Sequence, residues 1–380
     1  MSQKSVPCAV YRGGTSRGLF FHKKDLPKDV AAMKQIFFAG IDAYNLSQVN
    51  GLGGTTSSTS KVCVISPSIE PGADIDWTFY QIGVGAEVAD DKGTCGNLMS
   101  AVGAFAIDEG LVAVDHAADR AIVHVHNTNI RKMLRMEIPV IDGKAKVSGD
   151  YAMPGVLKPG ALIKVSIVNP GGGKTGKTLL LGPNCEVTTP KRSYEATFCD
   201  LINPFVFVAS RDVGLQGAEA SREIASNQAL LDELNLIRDN AAVLAGMAKD
   251  AADAKQNSPA VPKIAMVAPA QDYETTTGEL VKKEDVDILV KVLSMGRLHR
   301  TSPASGMYNL AAATLLPGTI PNQIARIAAG VKEQVIRIGH PEGVVEVRVV
   351  LTDDGQDVAG VGMDRTARRI MKGELFVPLG

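Results

Sequence analysis

Two residues in this chain are well suited to chemistry: Cys95, in Gly-Thr-Cys-Gly-Asn, and Lys61, which closes the run GGTTSSTSK. Cys95 opens a small-residue turn leading into LMSAVGAFAI, an Ala-rich stretch that reads as a helix. A thiol at a helix N-terminus meets unpaired N–H groups and a partial positive charge, which favour the reactive thiolate. Cys8, Cys63, Cys185 and Cys199 lie in or beside apolar strand-like segments and read as core packing. Lys61 opens a strand, so its stem starts at the edge of an apolar core. Burial of that stem would lower its pKa and make it a usable base, whereas at the surface it would be one more solvated charge. The hydroxyls and glycines before it, Thr59 and Ser60 among them, offer many short donors to an anion, although a solvated linker has the same composition. RGGTSRG (12–18) is a second such loop, and Ser16 is its residue expected to face a ligand.

These loops belong to a chain that is written twice. CAVYRGGTSRGLFFHKKDL (8–26) and CDLINPFVFVASRDVG (199–214) share an outline of strand, loop and strand. Helix-like segments follow each, around 28–43 and 219–250. KVCVISPS (61–68) then matches KIAMVAPA (263–270), and DIDWTFYQIG (74–83) matches the start of DVDILVKVLSMG (285–296). Both lead to a small-residue loop and an Ala-rich helix, at 94–107 and 302–316, and then to the strands RAIVHVHNTN and EQVIRIGHPEG. Ordered recurrence predicts two pseudo-symmetric α+β domains. Each is a curved, mostly antiparallel, barrel-like sheet around a central helix. Ala101, Gly103, Ala104 and Ala106 are the small residues such a helix needs where a sheet wraps closely round it. The boundary is placed in the turn-rich segment GPNCEVTTPKRS, giving domains 1–185 and 186–369, with 370–380 as a candidate to complete the first. The two helix starts, GTCGN and SPASG, would present the amides of Gly96, Asn97, Ser305 and Gly306 to a shared cleft, suited to a di- or tricarboxylate.

Composition narrows the alternatives. The chain has 380 residues, a net charge of -1 and 5% aromatics, which argues against nucleic acid or an anionic membrane as partner. No apolar run reaches spanning length, and five cysteines without close pairing fit a reduced cytoplasm. There is no CxxC, and His124 and His126 read as a structural pair, so no metal is expected. Gly171 to Thr178 spells a phosphate-binding loop, G-x-x-x-x-G-K-T, after a strand. Only three leucines separate it from Gly182-Pro183, too few for the helix that the motif requires, so it reads as a flexible Gly/Lys loop.

YRGGTSRG, GLGGTTSSTSK, TCGNLMSAVGAFAIDEGLV, RIGHPEG and RTARRIMKG together resemble the PrpF-type family of methylaconitate and methylitaconate isomerases and oxalomesaconate tautomerases. The resemblance runs from about residue 6 to the C-terminus. It implies a diaminopimelate epimerase-like fold and a 1,3-allylic proton shift in an unsaturated di- or tricarboxylate, with no cofactor. It also implies that Lys61 and Cys95 are the catalytic pair. Epimerases of that fold use two cysteines, one per domain, and SPASG has none, which disfavours a two-thiol racemase. Asn50, Thr94 and the SPASGMYN loop depart from the family pattern, so the reaction type transfers better than the substrate. A cytoplasmic homodimer is expected, since exposed sheet edges favour pairing of like chains.

Overall fold

The structure is a computed structural model that describes residues 2–153, 155–299, 302–328 and 330–378. The chain forms two compact units, Met1–Val168 with Met363–Gly380, and Asn169–Gly362.

In the first unit the chain runs β1 (Gln3–Gly13), β2 (Ser16–His22), α1 (Val30–Ile41), β3 (Lys61–Pro67) and β4 (Ile75–Ile82). It continues through α2 (Met99–Asp108), β5 (Arg120–Asn127), β6 (Lys132–Ile141) and β7 (Ile163–Val168). β1 pairs antiparallel with β2, β2 parallel with β3, and β3 antiparallel with β4. Then β4 pairs parallel with β5, β5 antiparallel with β6, and β6 antiparallel with β7. The second unit contains β8 (Ser193–Leu201), β9 (Asn203–Ala209), α3 (Gln228–Leu244), β10 (Lys263–Pro269) and β11 (Ile288–Ser294). It adds α4 (Ala304–Leu315), β12 (Glu333–His340), β13 (Gly343–Leu351) and β14 (Val358–Gly362). Its pairings from β8 to β14 repeat the same series: antiparallel, parallel, antiparallel, parallel, antiparallel, antiparallel. The recurrence read from the sequence is therefore a recurrence of topology. The chain finally returns to the first unit as β15 (Ala367–Pro378), which lies antiparallel along the length of β1.

Each sheet encloses its central helix without closing into a barrel. α2 touches β1, β3, β5, β6, β7 and β15, and every residue from Met99 to Ile107 is buried. Small side chains are needed for that fit: a Cβ on Gly103 would come within 2.5 Å of Ile138. α4 is enclosed in the same way by β8, β9, β12, β13 and β14, and a Cβ on Gly306 would stand 2.8 Å from the Phe205 ring. On the outer face of the first sheet, α1 buries Ile36, Phe37, Phe38 and Ile41 against Val62, Val64 and Tyr80.

Two boundaries differ from the expectation of 185/186 and 369/370. The 169–184 segment joins the second unit earlier, because Gly172 N–H donates to the Asp200 carbonyl and Asp200 N–H to that of Thr178. The return to the first unit begins at 363, since Asp364 and Arg365 already pair with Lys164 and Ile163. The segment 219–250 also divides, into Ser221–Ser226 and α3, because Asn227 accepts the Leu230 amide and starts a new helix.

Candidate active site

Lys61 is the first residue of β3 and is only 8% exposed. Its Nζ donates to Gln81 Oε1 at 2.6 Å and lies 5.1 Å from the centre of the Phe79 ring. Gln81 is its direct cross-strand partner in β4. The Gln81 amide nitrogen donates to the carbonyls of Ser57 and Ser60, so only the oxygen is left to face the lysine. An acceptor at that point aims one N–H and orients the rest of the amine. Sequence reasoning missed Gln81. No local signal marks it, because the register that sets it opposite Lys61 is fixed by strand pairing.

Cys95 is 7% exposed and accepts the Met99 amide through its carbonyl, so a helical turn precedes α2 and the thiol stands at its start. Among the described residues the amides of Gly96 and Asn97 have no acceptor, the usual condition of a helix's first turn. The thiol sulfur is 4.0 Å from Ser16 Oγ. The turn is set from several sides. Asn127 donates to Thr94 Oγ1 at 2.6 Å, Arg365 Nε to Asn97 Oδ1 at 3.2 Å, and Asn97 Nδ2 to Thr15 Oγ1 at 3.1 Å. The RGGTSRG loop can lie so close only because of glycine: a Cβ on Gly13 would come within 2.7 Å of the Asn97 carbonyl.

One cavity of about 450 Å³ is lined by Ser16, Lys61, Cys95, Gly96 and Asn97, together with Ser57, Ser58, Phe79, Gln81, Asp90, Gly93 and Thr94. Five of the nine residues singled out in the sequence therefore meet here. Thr59 and Ser60 do not line it. Thr59 Oγ1 bonds to Thr56, and Ser60, wholly buried, bonds to Gln48. Gln48 also accepts the Thr55 amide and Arg17 reaches the carbonyls of Leu52 and Gly53, so this run is a built loop, not a solvated linker. Ser305 and Gly306 lie in the first turn of α4, in the other unit. The Gly306 amide already donates to the Pro303 carbonyl at 2.8 Å, which removes it as a free donor of the kind expected.

The thiols behave as packing residues elsewhere. Burial pushes the Cys63 and Cys199 thiols well above their usual range, while Cys185 is only partly buried. His126 pairs with Asp76 at 3.1 Å and His124 with Asp74 at 3.7 Å, and among the described residues no cluster has three metal-ligating side chains. The phosphate-loop string is occupied from within. The amides of Lys174 and Thr175 and the Thr175 hydroxyl all donate to Asp200 Oδ2, at 2.7 to 2.9 Å. Thr178 Oγ1 donates to Asp357, and no helix follows. The cradle holds the protein's own carboxylate.

Known proteins resemble this chain along nearly its whole length. The sequence model described as "PrpF protein" matches residues 3–378. The 3-methylitaconate isomerase of Eubacterium barkeri is 38% identical, over 99% of this chain and 98% of that protein. The 2-methyl-aconitate isomerase of Shewanella oneidensis is 33% identical, again over 99% and 98%. The (4E)-oxalomesaconate Delta-isomerase of Novosphingobium sp. is 32% identical over 98% of each chain. A crystal structure of methylitaconate-delta-isomerase superposes with a TM-score of 0.90 at 36% identity, covering 100% of this chain and 97% of that one.

Proposed function

The chain belongs to the PrpF family of isomerases, and on that premise we propose that Lys61 and Cys95 carry out a 1,3-allylic proton shift in a small unsaturated di- or tricarboxylate. Substrates of the methylitaconate, methylaconitate and oxalomesaconate type define the class. The observation that carries this reading is the single cavity presenting one amine, one thiol and the first-turn amides of Gly96 and Asn97.

The chemistry follows from what these groups can do. A proton on the allylic carbon beside a carboxylate is weakly acidic, and its removal leaves a dienolate whose charge spreads over the allyl unit and carboxylate. The amides of Gly96 and Asn97, with Ser16 Oγ, are placed to hold that charge, which is worth more in a partly water-excluded site than in solution. One of Lys61 and Cys95 removes the proton and the other returns one at the far end of the allyl unit, so the double bond moves and the atoms balance. Exchange of both groups with solvent then resets the pair. Gln81 keeps the amine aimed at the cavity throughout.

Proton NMR in heavy water with 3-methylitaconate, 2-methylaconitate and oxalomesaconate tests this directly. At least one should isomerise and take up deuterium at the allylic position. Lys61→Ala and Cys95→Ala should fold and lose about 10²–10⁴-fold in kcat, the range for removing an acid–base group. Undiminished exchange in both variants would remove the assignment. We also place the activity in a cytoplasmic homodimer. Among the described residues no helix is long and apolar enough to cross a membrane. Sedimentation showing a monomer at working concentration would discard the dimer.

A further inference from the structure

The second unit holds a cavity of about 380 Å³, walled by the 217–222 turn, the 273–278 segment, β11 and the end of β12. It shares no residue with the Lys61–Cys95 cavity. Its unusual member is Lys291, an amine set in the middle of the apolar strand ILVKVLS. An ammonium there loses hydration, and burial lowers the Lys291 pKa, with Glu219 and Glu223 opposing. Its Nζ donates to the Gly217 carbonyl at 2.6 Å, and among the described residues no carboxylate forms an ion pair with it. An ammonium carries three N–H donors, so donors remain for the cavity.

His340 supplies another. Its Nδ1 accepts the Glu342 amide at 3.3 Å, which puts the ring proton on Nε2. Burial pushes its pKa down to about 4, with Glu342 opposing and His299 adding, so the ring is a neutral donor near pH 7. The floor between them is apolar. The Tyr273 hydroxyl is tied to the Gly343 carbonyl at 2.5 Å, leaving its ring as wall beside Leu289. Only a glycine at 339 leaves that space, since a Cβ there would come within 2.5 Å of Leu289 and 3.0 Å of the Tyr273 ring. The Glu219 carboxylate accepts the amides of Gln216 and Gly217, and Glu274 and Arg222 are exposed at the margin. Lys291 and Arg222 balance Glu219 and Glu274 in the lining, so an anion is favoured here by the remaining donors of Lys291 and His340, which one carboxylate can satisfy.

We propose that this cavity is a second ligand site that takes a monocarboxylate with an apolar body. The carboxylate sits on Lys291 and His340, and the body lies against Tyr273 and Leu289. Benzoate and its uncharged isostere benzamide are suitable probes, titrated into the full-length protein while the His340 ring resonances are followed by NMR, assigned with His340→Gln. Benzoate should give a saturable shift and benzamide should bind at least about tenfold more weakly, the scale of a charge-assisted hydrogen bond. Lys291→Met should bring benzoate down to the benzamide level, and Lys291→Arg should restore part of the difference. Equal binding of the two probes to the wild-type protein, or no saturable benzoate shift, would overturn the proposal. An unchanged benzoate titration in Lys291→Met would do the same, leaving Lys291 as a tether for the Gly217 carbonyl. The readout lies in the second unit and does not depend on turnover at Lys61 and Cys95.

Discussion

Lys61 and Cys95 are held by different means, and each makes its own prediction. The cysteine stands in the first turn before α2, a locally formed turn that Asn127 and Arg365 then pin from distant strands. The lysine is placed by another side chain, Gln81, whose amide is locked by two carbonyls. Gln81→Leu should therefore lower kcat about 10²-fold, the cost of a small misplacement, with KM nearly unchanged and the fold intact. An equal fall in kcat and rise in KM would instead mean that Gln81 binds substrate. A second prediction at this scale concerns His340. The unfolded chain protonates this ring near pH 6.5, whereas the folded protein resists until about 4. Stability should accordingly fall as pH drops through that window and be fully present above it, a difference of up to about 3 kcal/mol. Denaturant unfolding at pH 4 to 7 should show this slope, and His340→Gln should flatten it.

Turns and loops decide whether those side chains are presented at all. Gly13 is a tight point, with the Asn97 carbonyl, the Ala101 side chain and the Leu98 Cα all within 3.0 Å of a would-be Cβ. Because two of these three contacts are backbone, they cannot swing aside as a side-chain end could. Gly13→Ala should cost about 1–3 kcal/mol of stability by overpacking and also lower activity, because the Gly96–Asn97 turn is what moves. Thermal unfolding with parallel kinetics checks both. The 171–178 loop makes the opposite case, a motif whose string and structure disagree. Asp200 fills the cradle of amides, so Asp200→Ala should leave the amides of Lys174 and Thr175 unpaired at about 1–3 kcal/mol. In a unit of this size that is about 2–4 °C in Tm per kcal/mol. Magnesium ATP should not raise the Tm of the wild-type protein, and Lys177→Ala should change nothing.

The first unit is built from both ends of the chain. β15 pairs with β1 from Gln3 to Gly13, and Arg365 reaches the turn that carries Cys95 through Asn97. Removing residues 363–380 should uncover a long strand edge, expose part of the core around Val6 and Val10, and abolish activity even though Lys61 and Cys95 remain. Loss of hydrogen-exchange protection across 3–13, together with aggregation, is the expected result. Retained protection there would show that β15 is dispensable.

Much of this was legible in one dimension. Repeated strand–helix order specified two sheets around two helices, since alternating apolar patterns and Ala/Gly-rich helices admit few other burials. Local context was enough for Cys95, Gly96 and Asn97, because a helix start is a local structure. Tertiary structure decided what depends on residues brought together from a distance. It turned Ser57 and Ser58 toward the cavity and Thr59 and Ser60 away, because Gln48 binds the loop from behind. It set Gln81 opposite Lys61, twenty residues further along, and put Asp200 in the cradle of the phosphate-loop string. Hydrogen-bond partners of polar side chains are chosen by register and packing across strands, and a single line of residues carries no direct record of either.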